Sequence, residues 1–569
     1  MTRARMAVAL AWLAAIIPGS AGSADAATYH VRKSGSDGNN GLSAATAFLT
    51  IGKAVSVAQP GDQVFIGAGT YAESISSARS GTDPKPILIQ GDVNGSRTGD
   101  GGEIVIAGTG TFALRINGHR YIGISDLTFR GTTNPVLITQ ASHVWLADCR
   151  MENATADSVL VTSSRARLFN CTLTGGNGAG LRVTGDSSTV TLDRSIVDAV
   201  GGDGVYSSGG TSVISNCVLR VCGGWGLRHE KGTVTLTNSS IWSCAGGGIR
   251  STSSVGTTTT TAWHNTIVDC GPYGAYVHAA SLTFRNNIVA GVTAGLTRFG
   301  EGGNCTHSNN LYWNCNQNYS GVSAGTGDKN ADPKFVNSVS DFRLQPGSPA
   351  IDAGANASSV TYFDHFLASR PSGGGYDIGF HERGPSLSAA NTPYSNNFES
   401  PMGPEWSQST RSSGAHFSNF AGRHGNNRLS LLLHTQPGRT YTVRFDLYTI
   451  DSWDGLNTDY TLGGPDSFNI AANGKCFFTH TFSWEWGYPV SYPKPPDQTG
   501  HLGFNSTWTD AIFRNVSATF RAESTTTQLD FYGRGLQAID DESWGIDNLE
   551  VREGGIRIVR WREVSQTDL

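Results

Sequence analysis

Charged residues are scarce in this chain, and long apolar runs are missing after its N-terminal region. Asp, Glu, Lys and Arg make up 15% of the 569 residues, the net charge is −5, and no basic block occurs. A nucleic-acid partner is therefore not expected. No later stretch is long and apolar enough to predict a membrane span. The oligomeric state is left open by the sequence.

The number and spacing of the cysteines bear on zinc sites and disulfides. The nine cysteines include no Cys-x-x-Cys pair, which argues against zinc. Because nine is odd, at least one thiol has no partner within the chain. Cys305 and Cys315 close a short loop and are the best candidates for a disulfide if the protein is exported.

The N-terminus predicts export. Arg3 and Arg5 precede an apolar run over residues 6–18, and the small residues Ala24 and Ala26 follow. The run is too short for a membrane span and is typical of a secretory signal peptide. We assign residues 1–27 to the signal peptide and predict a secreted, extracellular or cell-surface protein.

What the sequence does contain is glycine and a repeat. The 72 glycines exceed average usage, as expected of a chain that turns often. Aliphatic anchors recur about every 22 residues: Phe129, Met151, Leu173, Ile196, Leu219, Ile241, Ile267, Ile288 and Leu311. So short a unit cannot bury an apolar face alone, so the units must stack.

The stacked units predict a parallel β-helix, because the leucine-rich-repeat signature is missing. Six cysteines keep a constant phase to the anchors and are interpreted as a buried packing ladder, with disulfides between coils as the alternative. They are Cys149, Cys171, Cys217, Cys222, Cys244 and Cys270. A helix over residues 50–58 is the candidate cap for the exposed N-terminal end.

Two segments carry a family resemblance. Residues 29–71, with Gly-Ser-Asp-Gly-Asn-Asn-Gly at 35–41, resemble the opening of secreted right-handed β-helix proteins of the pectate-lyase-like superfamily. Residues 332–379, with Ser-Pro-Ala-Ile-Asp-Ala-Gly at 348–354, resemble their closing segment. The resemblance implies an N-terminal cap and first coils over 28–125 and a right-handed parallel β-helix with closing segment over 126–383.

The C-terminal part has a different pattern. Residues 384–394 are predicted to be a linker, and alternating runs such as 440–447 predict antiparallel strands. We expect a jelly-roll-like β-sandwich over 395–553 and a tail over 554–569, so the whole chain is all-β. Segments 451–455 and 541–548 resemble accessory, carbohydrate-binding-like modules of bacterial exported and surface proteins.

The glycine-led strands supply the candidate site. If the apolar residue after each glycine points inward, the next residue points outward. These outward residues are Arg182, Tyr206, Arg228, Arg250 and Tyr276; two positions later come Thr184, Ser208, Glu230, Thr252 and His278. Arginine suits carboxylates and sulfates, so the face predicts binding of an acidic polysaccharide, with Arg182, Tyr276 and His278 as substrate-binding residues. A purely structural surface ladder is the alternative.

Lyase-type β-elimination is the favoured reaction. It needs a base and a cation that neutralises the substrate carboxylate, and Arg228, Tyr206, Glu230 and Arg250 are the candidate catalytic groups. Leu227-Arg228-His229 resembles a catalytic arginine segment of the chondroitinase B and alginate lyase family, although Tyr206 replaces its preceding-coil lysine. Hydrolysis of the polygalacturonase kind is disfavoured because its signatures are missing. The alternative function is a non-catalytic glycan-binding or cell-surface interaction protein.

A structural calcium ion is predicted in the sandwich. Glu399 on its first strand and Asp547 on its last are candidate neighbours, and Asp541 adds charge nearby. Carboxylates are suitable ligands for Ca²⁺, although turn-forming acids explain the same pattern. No other cofactor is expected.

Overall fold

The computed structural model describes residues 26–83, 85–253, 256–360, 363–453, 455, 466–483, 490–505 and 507–554. Most of the signal peptide and tail predictions lie outside these residues. No helix in the described part combines the length and apolar character needed to cross a membrane.

The N-terminal two thirds of the chain form a parallel β-helix, as predicted, and its strands make three faces. The first face consists of Ile75–Ser76, Leu114–Asn117, Val136–Thr139, Val159–Thr162, Leu181–Thr184, Gly247–Thr252, Tyr273–His278, Ala294–Phe299 and Gln317–Ser320. The second face consists of Thr28–Val31, Gln63–Ile66, Ile87–Gly91, Arg120–Ser125, Ser142–Ala147, Arg165–Phe169, Thr189–Asp193, Thr258–Trp263, Ser281–Arg285 and Cys305–Ser308. Two long strands, Val205–Ser215 and Trp225–Thr237, run from the first face into the second.

The third face is a separate parallel sheet of twelve short strands. They are Gly69–Tyr71, Ile104–Ala107, Thr128–Thr132, Arg150–Ala154, Thr172–Thr174, Ile196–Asp198, Val218–Arg220, Ser240–Trp242, Thr266–Val268, Ile288–Ala290, Leu311–Trp313 and Lys329–Asn330. Alternate side chains of all three faces point inward and form one continuous apolar core.

Three of the predicted anchors are wrong by one residue. Leu173 pairs with Val197, and Val289 pairs with Tyr312, so Ile196, Ile288 and Leu311 point away from the core. Ile288 and Leu311 are nevertheless buried, because the closing segment covers them with its own apolar side chains. Ile196 is 37% exposed.

The ends of the β-helix are covered by dedicated segments. The predicted capping helix is confirmed as Ile51–Val57, which begins after the capping side chain of Thr50 and buries Ile51, Ala54 and Val55. A 3-10 turn, Ala44–Thr46, precedes it. The closing segment begins with the antiparallel hairpin Phe335–Asn337 and Asp341–Leu344.

The inner corner between the second and third faces carries a ladder of hydrogen bonds. In successive coils, Cys149, Cys171, Ser195, Cys217, Ser239, Asn265, Asn287 and Asn310 occupy the same position. The Asn287 side chain accepts the Asn265 backbone N–H at 2.9 Å, and the Asn310 side chain accepts that of Asn287 at 3.0 Å. Each amide or hydroxyl thus satisfies a buried donor of the preceding coil.

All nine cysteines are free thiols in the structure, which confirms the buried ladder and contradicts the Cys305–Cys315 disulfide. Cys315 continues the file of Cys222, Cys244 and Cys270, three positions after the inward anchor, and its Sγ lies 3.7 Å from the Val289 carbonyl oxygen. Cys305 instead pairs with Leu282 on the second face. The two thiols therefore belong to different files of inward side chains.

The C-terminal region is a sandwich of two antiparallel sheets around one aromatic core. The first sheet contains Tyr394–Asn396, Arg411–Gly414, Phe417–His424, Thr440–Asp451, Gln498–Gly500, Asp510–Arg521 and Glu542–Glu553; the second contains Arg428–His434, Ser467–Ala472, Lys475–Thr481 and Thr526–Arg534. The order of the strands within the two sheets is that of a jelly roll, as predicted. Trp453 and Trp544 are fully buried core residues.

Candidate functional site

The predicted outward row exists on the first face. Arg182, Tyr206, Arg228, Arg250 and Tyr276 are direct partners in successive parallel strands. Each follows an inward apolar residue, so all five side chains are displayed at the surface. The repeat therefore predicted correctly that these five residues lie side by side in successive coils.

The second predicted row is interrupted at Glu230. Ser208 pairs with Lys231 rather than with Glu230, because a bulge shifts the register between these strands. The bulge turns the Glu230 carboxylate back towards Tyr206 and Arg228. Further along, His278 pairs with Phe299 in regular register, and their rings pack edge to face.

Arg228, Tyr206 and Glu230 are joined by short hydrogen bonds. The Tyr206 hydroxyl donates to Glu230 at 2.7 Å, and Arg228 donates two N–H groups to the other carboxylate oxygen at 2.6 and 2.9 Å. Burial favours the protonated acid, but these hydrogen bonds outweigh it and lower the pKa of Glu230. Burial and the bond to Glu230 raise the pKa of Tyr206. Glu230 is thus an anion and Tyr206 a proton donor at neutral pH.

Two further carboxylates reach this group from the turn before the strands. The Asp157 side chain accepts Arg182 Nε at 2.6 Å, and Asp203 lies 3.8 Å from Arg228 Nη1. Burial raises the pKa of Asp203, although the Trp225 backbone N–H and nearby arginines oppose this. We name Asp157, Arg182, Asp203, Tyr206, Arg228 and Glu230 the charged cluster. Its arginines are largely neutralised by its own carboxylates.

An aromatic platform continues the face beyond the charged cluster. Trp225 is parallel to Tyr273 with ring centroids 6.0 Å apart, Tyr276 lies 5.2 Å from Tyr273, and Phe299 lies 6.4 Å from Tyr276. Phe299 is 60% exposed. Trp225, Tyr273, Tyr276 and Phe299 form the aromatic platform. Its rings follow one another from coil to coil, obliquely across the first face.

Gly247 is what allows Trp225 to reach Tyr273 across the intervening coil. It occupies the same position as both aromatic residues, one coil from each. A Cβ atom at Gly247 would stand 2.5 Å from the Trp225 ring, and its φ of +137° disfavours other residues. Glycine therefore leaves the space that the tryptophan fills.

Arg250 lies between the two groups. Its guanidinium is 6.0 Å from the centre of the Trp225 ring, within reach of a cation–π contact. Among the residues that the structure describes, Arg250 forms no ion pair, unlike Arg182 and Arg228. It is a cation of the face that remains available to an external anion.

The sequence predicted the arginines of the site but missed most of its aromatic residues. Trp225 and Tyr273 were not predicted, because each lies before the glycine of its strand. Phe299 was also missed, although it continues the outward row of Thr252 and His278 into the next coil. Trp225 and Tyr273 are three residues before an outward arginine or tyrosine that is predicted, and Asp157 and Asp203 share their phase. A search of that phase through the repeat would have identified all four.

The three carboxylates predicted to bind calcium lie in two places. Glu399 accepts the Asn419 amide at 2.6 Å, and Asp547 accepts hydroxyl protons from neighbouring Ser418 at 2.8 Å and from Tyr448 at 2.9 Å. Asp541 instead accepts the Ser452 hydroxyl at 2.8 Å. In the described part of the chain, no three His, Cys, Asp or Glu side chains cluster as metal ligands would. Glu399, Asp541 and Asp547 therefore do not form one group of calcium ligands in the structure. Calcium binding by the sandwich stays a prediction, which thermal unfolding with and without a chelator would test.

Comparison with known proteins supports the fold. The family described as "Right handed beta helix region" matches residues 112–262 and 158–312. No curated protein matches the chain. Among solved structures, pectate lyase Pel9A is 16% identical with a TM-score of 0.45, over 64% of this chain and 98% of that one.

Two further solved structures are similar at the same low level. An alginate lyase from Paenibacillus sp. str. FPU-7 is 18% identical with a TM-score of 0.34, over 45% of this chain and 94% of that one. A rhamnogalacturonan lyase is 14% identical with a TM-score of 0.37, over 55% and 91%. The family match over residues 112–312 agrees with the parallel β-helix of the structure, and the similarities to solved structures do not define what the chain binds or cleaves.

Proposed function

We propose that this is an exported protein that binds an acidic polysaccharide along its first face and cleaves it by β-elimination. The observation that carries the proposal is the aromatic platform beside Arg250, an arginine with no internal carboxylate partner. Ring faces pack against the apolar faces of sugars, while a guanidinium fork binds a uronate carboxylate. The predicted signal peptide at residues 1–27 supports export.

The charged cluster has the groups that elimination requires. In our proposal Arg250 binds the uronate carboxylate and makes the hydrogen on C5 more acidic. Glu230 removes that proton, the electron pair forms the C4–C5 double bond, and the C4–O bond breaks. Tyr206 protonates the leaving oxygen. The proton then passes from Glu230 to the Tyr206 phenolate through their 2.7 Å hydrogen bond, which restores both groups.

Non-catalytic glycan binding is the second candidate. The observation that favours it is the saturation of Glu230 by Arg228 and Tyr206, because a carboxylate with a lowered pKa is a weaker base. In this case the charged cluster only fixes the shape of the face, and the aromatic platform with Arg250 binds the polymer.

A panel of acidic polysaccharides distinguishes the two candidates. We expect pectate, alginate or chondroitin to yield products that absorb in the ultraviolet, owing to the new double bond, together with new reducing ends. Reducing ends without absorbance would indicate hydrolysis. Measurable binding without either product would exclude the lyase and support the second candidate.

Variants separate catalysis from binding. We expect Glu230→Gln and Tyr206→Phe to lower kcat by about 100-fold or more with little change in affinity, as for a lost proton-transfer group. Glu523→Gln, in an exposed ion pair of the sandwich, is the matched control. Unchanged turnover in Glu230→Gln would move the reaction to other residues.

The platform is tested by affinity. We expect Trp225→Ala to weaken polysaccharide binding about tenfold, equivalent to roughly 1.4 kcal/mol. Trp508→Ala removes a partly exposed tryptophan of the sandwich and should leave affinity unchanged. Gly247→Ala should reproduce part of the Trp225→Ala effect by displacing the ring. Equal affinity in all three variants would exclude the platform as a binding site.

A further inference from the structure

A cavity of about 290 Å³ lies where the β-helix, the closing segment and the sandwich meet. The β-helix contributes Arg194, Ile196 and Asn216, and the closing segment contributes residues 365–367. The sandwich contributes Arg428, Asp530, Tyr532 and Arg534. The cavity does not include residues of the first face, because these β-helix side chains belong to the third face and to the turns beside it.

Arg194 has buried donors without protein partners. Its Nε and Nη1 atoms are inaccessible to solvent and make no hydrogen bond to the described residues. Its nearest carboxylate, Asp193, lies 3.6 Å from Nε, beyond hydrogen-bonding distance. Asp193 already accepts the Ser215 hydroxyl at 2.7 Å and the Asn216 amide at 2.9 Å. A buried guanidinium with two unsatisfied N–H groups is costly unless another acceptor approaches.

Positive charge is in excess around the cavity. The guanidinium groups of Arg194, Arg534 and Arg167 all lie against the Phe169 ring, at 5.7, 5.2 and 5.8 Å from its centre. Burial lowers the pKa of Arg194 to about 10; the neighbouring Asp193 carboxylate opposes this, and repulsion from Arg534 and Arg167 adds to it. Arg194 remains a cation at neutral pH, among other cations.

Carboxylates offset only part of this charge. Asp193 forms an ion pair with Arg194 and Asp530 with Arg428, both at 3.6 Å, whereas Arg534 has no ion pair among the described residues. Three guanidinium groups line it, from Arg194, Arg428 and Arg534, and Asp530 is the single carboxylate among its lining residues. Asp530 already accepts the Ser430 hydroxyl and the Gln528 amide. His365 adds no positive charge to the cavity, because burial lowers its pKa to about 4 and keeps it neutral.

We propose that this cavity is an oxyanion-binding site in which Arg194 and Arg534 hold a sulfate, phosphate or carboxylate group. Because Nε and Nη1 of Arg194 are covered in the structure, its side chain would turn towards such a group, whose oxygens would then accept its unsatisfied N–H groups and reduce the repulsion between the guanidinium groups. Because Arg194 is on the β-helix and Arg534 on the sandwich, the anion would also join the two domains. The source of the oxyanion is either a free inorganic ion or an acidic sugar.

Thermal unfolding of the full chain with added anions tests the site. We titrate sodium sulfate, sodium phosphate and sodium galacturonate, with sodium chloride at equal ionic strength and neutral galactose as controls. The midpoint of unfolding should rise and saturate with an oxyanion, since a ligand that binds only the folded state stabilises it. Saturation with the inorganic salts would indicate a free ion; saturation with galacturonate alone would indicate a sugar acid.

Variants separate binding from the general stabilising effect of sulfate, which does not saturate. Arg534→Gln should weaken the saturable effect about tenfold or more, whereas Arg552→Gln, in an exposed ion pair of the same sandwich, should not change it. If Arg534→Gln fails to fold, Arg428→Gln and calorimetric titration of the unaltered protein replace it. A saturable rise that is equal in Arg534→Gln, or no saturable heat with any of the three anions, would overturn the proposal.

The site can be distinguished from the first face. Arg250→Ala removes the available cation of the proposed polysaccharide site and should leave the saturable anion effect intact. Failure of the polysaccharide panel would therefore not affect this inference. Loss of the anion effect in Arg250→Ala but not in Arg534→Gln would place the bound anion on the first face and refute it.

Discussion

His229 lies inside the β-helix, one residue from both Arg228 and Glu230, and is fully buried. Its Nε2 donates to the Lys231 carbonyl oxygen at 3.0 Å, and its Nδ1 lies 2.7 Å from the Thr260 hydroxyl. Burial lowers its pKa to about 4, although the bond to Lys231 opposes this. The neutral imidazole therefore supports, from below, the bulge that places Glu230.

Stability should depend on pH through this residue. The unfolded state binds a proton near pH 6.5 and the folded state only near pH 4, so the contribution is complete above 6.5 and lost as pH falls towards 4. The loss amounts to roughly 3 kcal/mol, from about 1.4 kcal/mol per pKa unit. We expect the stability advantage of the unaltered protein over His229→Gln to shrink over this range.

Urea unfolding of both proteins from pH 7 to pH 4 measures the difference. Comparing the two proteins cancels the other buried titratable groups, which are common to both. A difference in unfolding free energy that stays constant with pH would show that His229 titrates alike in the folded and unfolded states.

At the scale of structural elements, we expect the ladder of hydrogen bonds between the second and third faces to contribute most to the free energy of unfolding. Asn287 donates to the Ala262 carbonyl oxygen at 3.0 Å, and its side-chain oxygen accepts the backbone and amide N–H groups of Asn265. Asn287→Ala would leave these buried groups unsatisfied. We expect a loss of roughly 3 kcal/mol in the free energy of unfolding, measured in urea.

Two substitutions calibrate that result. Asn316→Ala changes an exposed asparagine on a neighbouring turn and should alter stability little. Asn287→Ser should cost less than alanine, because Ser195 and Ser239 fill the same position in other coils and accept the backbone N–H there. Equal free energies of unfolding for the three variants would refute a stabilising role of the ladder hydrogen bonds.

The strands also show which structural features the sequence could predict. Period alone placed Arg182, Arg228 and Arg250 correctly, because inward and outward positions alternate on the first face. On the third face, strands of three residues carry apolar pairs such as Ile288-Val289, and the closing segment buries the outward member as well. Alternation cannot decide between two buried neighbours.

The site was less predictable than the fold for a related reason. Bulges and turns follow no inward–outward alternation, so the bulge at Glu230 was not predicted. Trp225 and Tyr273 share a phase from coil to coil, but alternation along a strand does not mark that phase as outward. Contacts between domains carry no periodic signal, because Arg194 and Arg534 are 340 residues apart. Stacking therefore determines the scaffold from local sequence, while the site depends on local departures from the repeat.

At the scale of the whole molecule, the nine free thiols have three degrees of exposure. Cys476 is exposed on the sandwich, Cys305 and Cys315 are partly buried, and the six ladder cysteines are buried. Burial also raises the pKa of Cys305 to about 11 and that of Cys315 in the same direction. Because the thiolate is the reactive form, both effects slow reaction with a thiol reagent.

We therefore expect a native-state titration with a thiol reagent to show one fast thiol, two slow thiols and six that react only after unfolding. Cys476→Ser should remove the fast phase and leave the others. The titration should use protein that has been exported to an oxidising compartment, since a disulfide between Cys305 and Cys315 would form there if the geometry allowed it. Nine thiols in denaturant would agree with separate inward files for Cys305 and Cys315, whereas seven would require a disulfide and a different packing of the last coils.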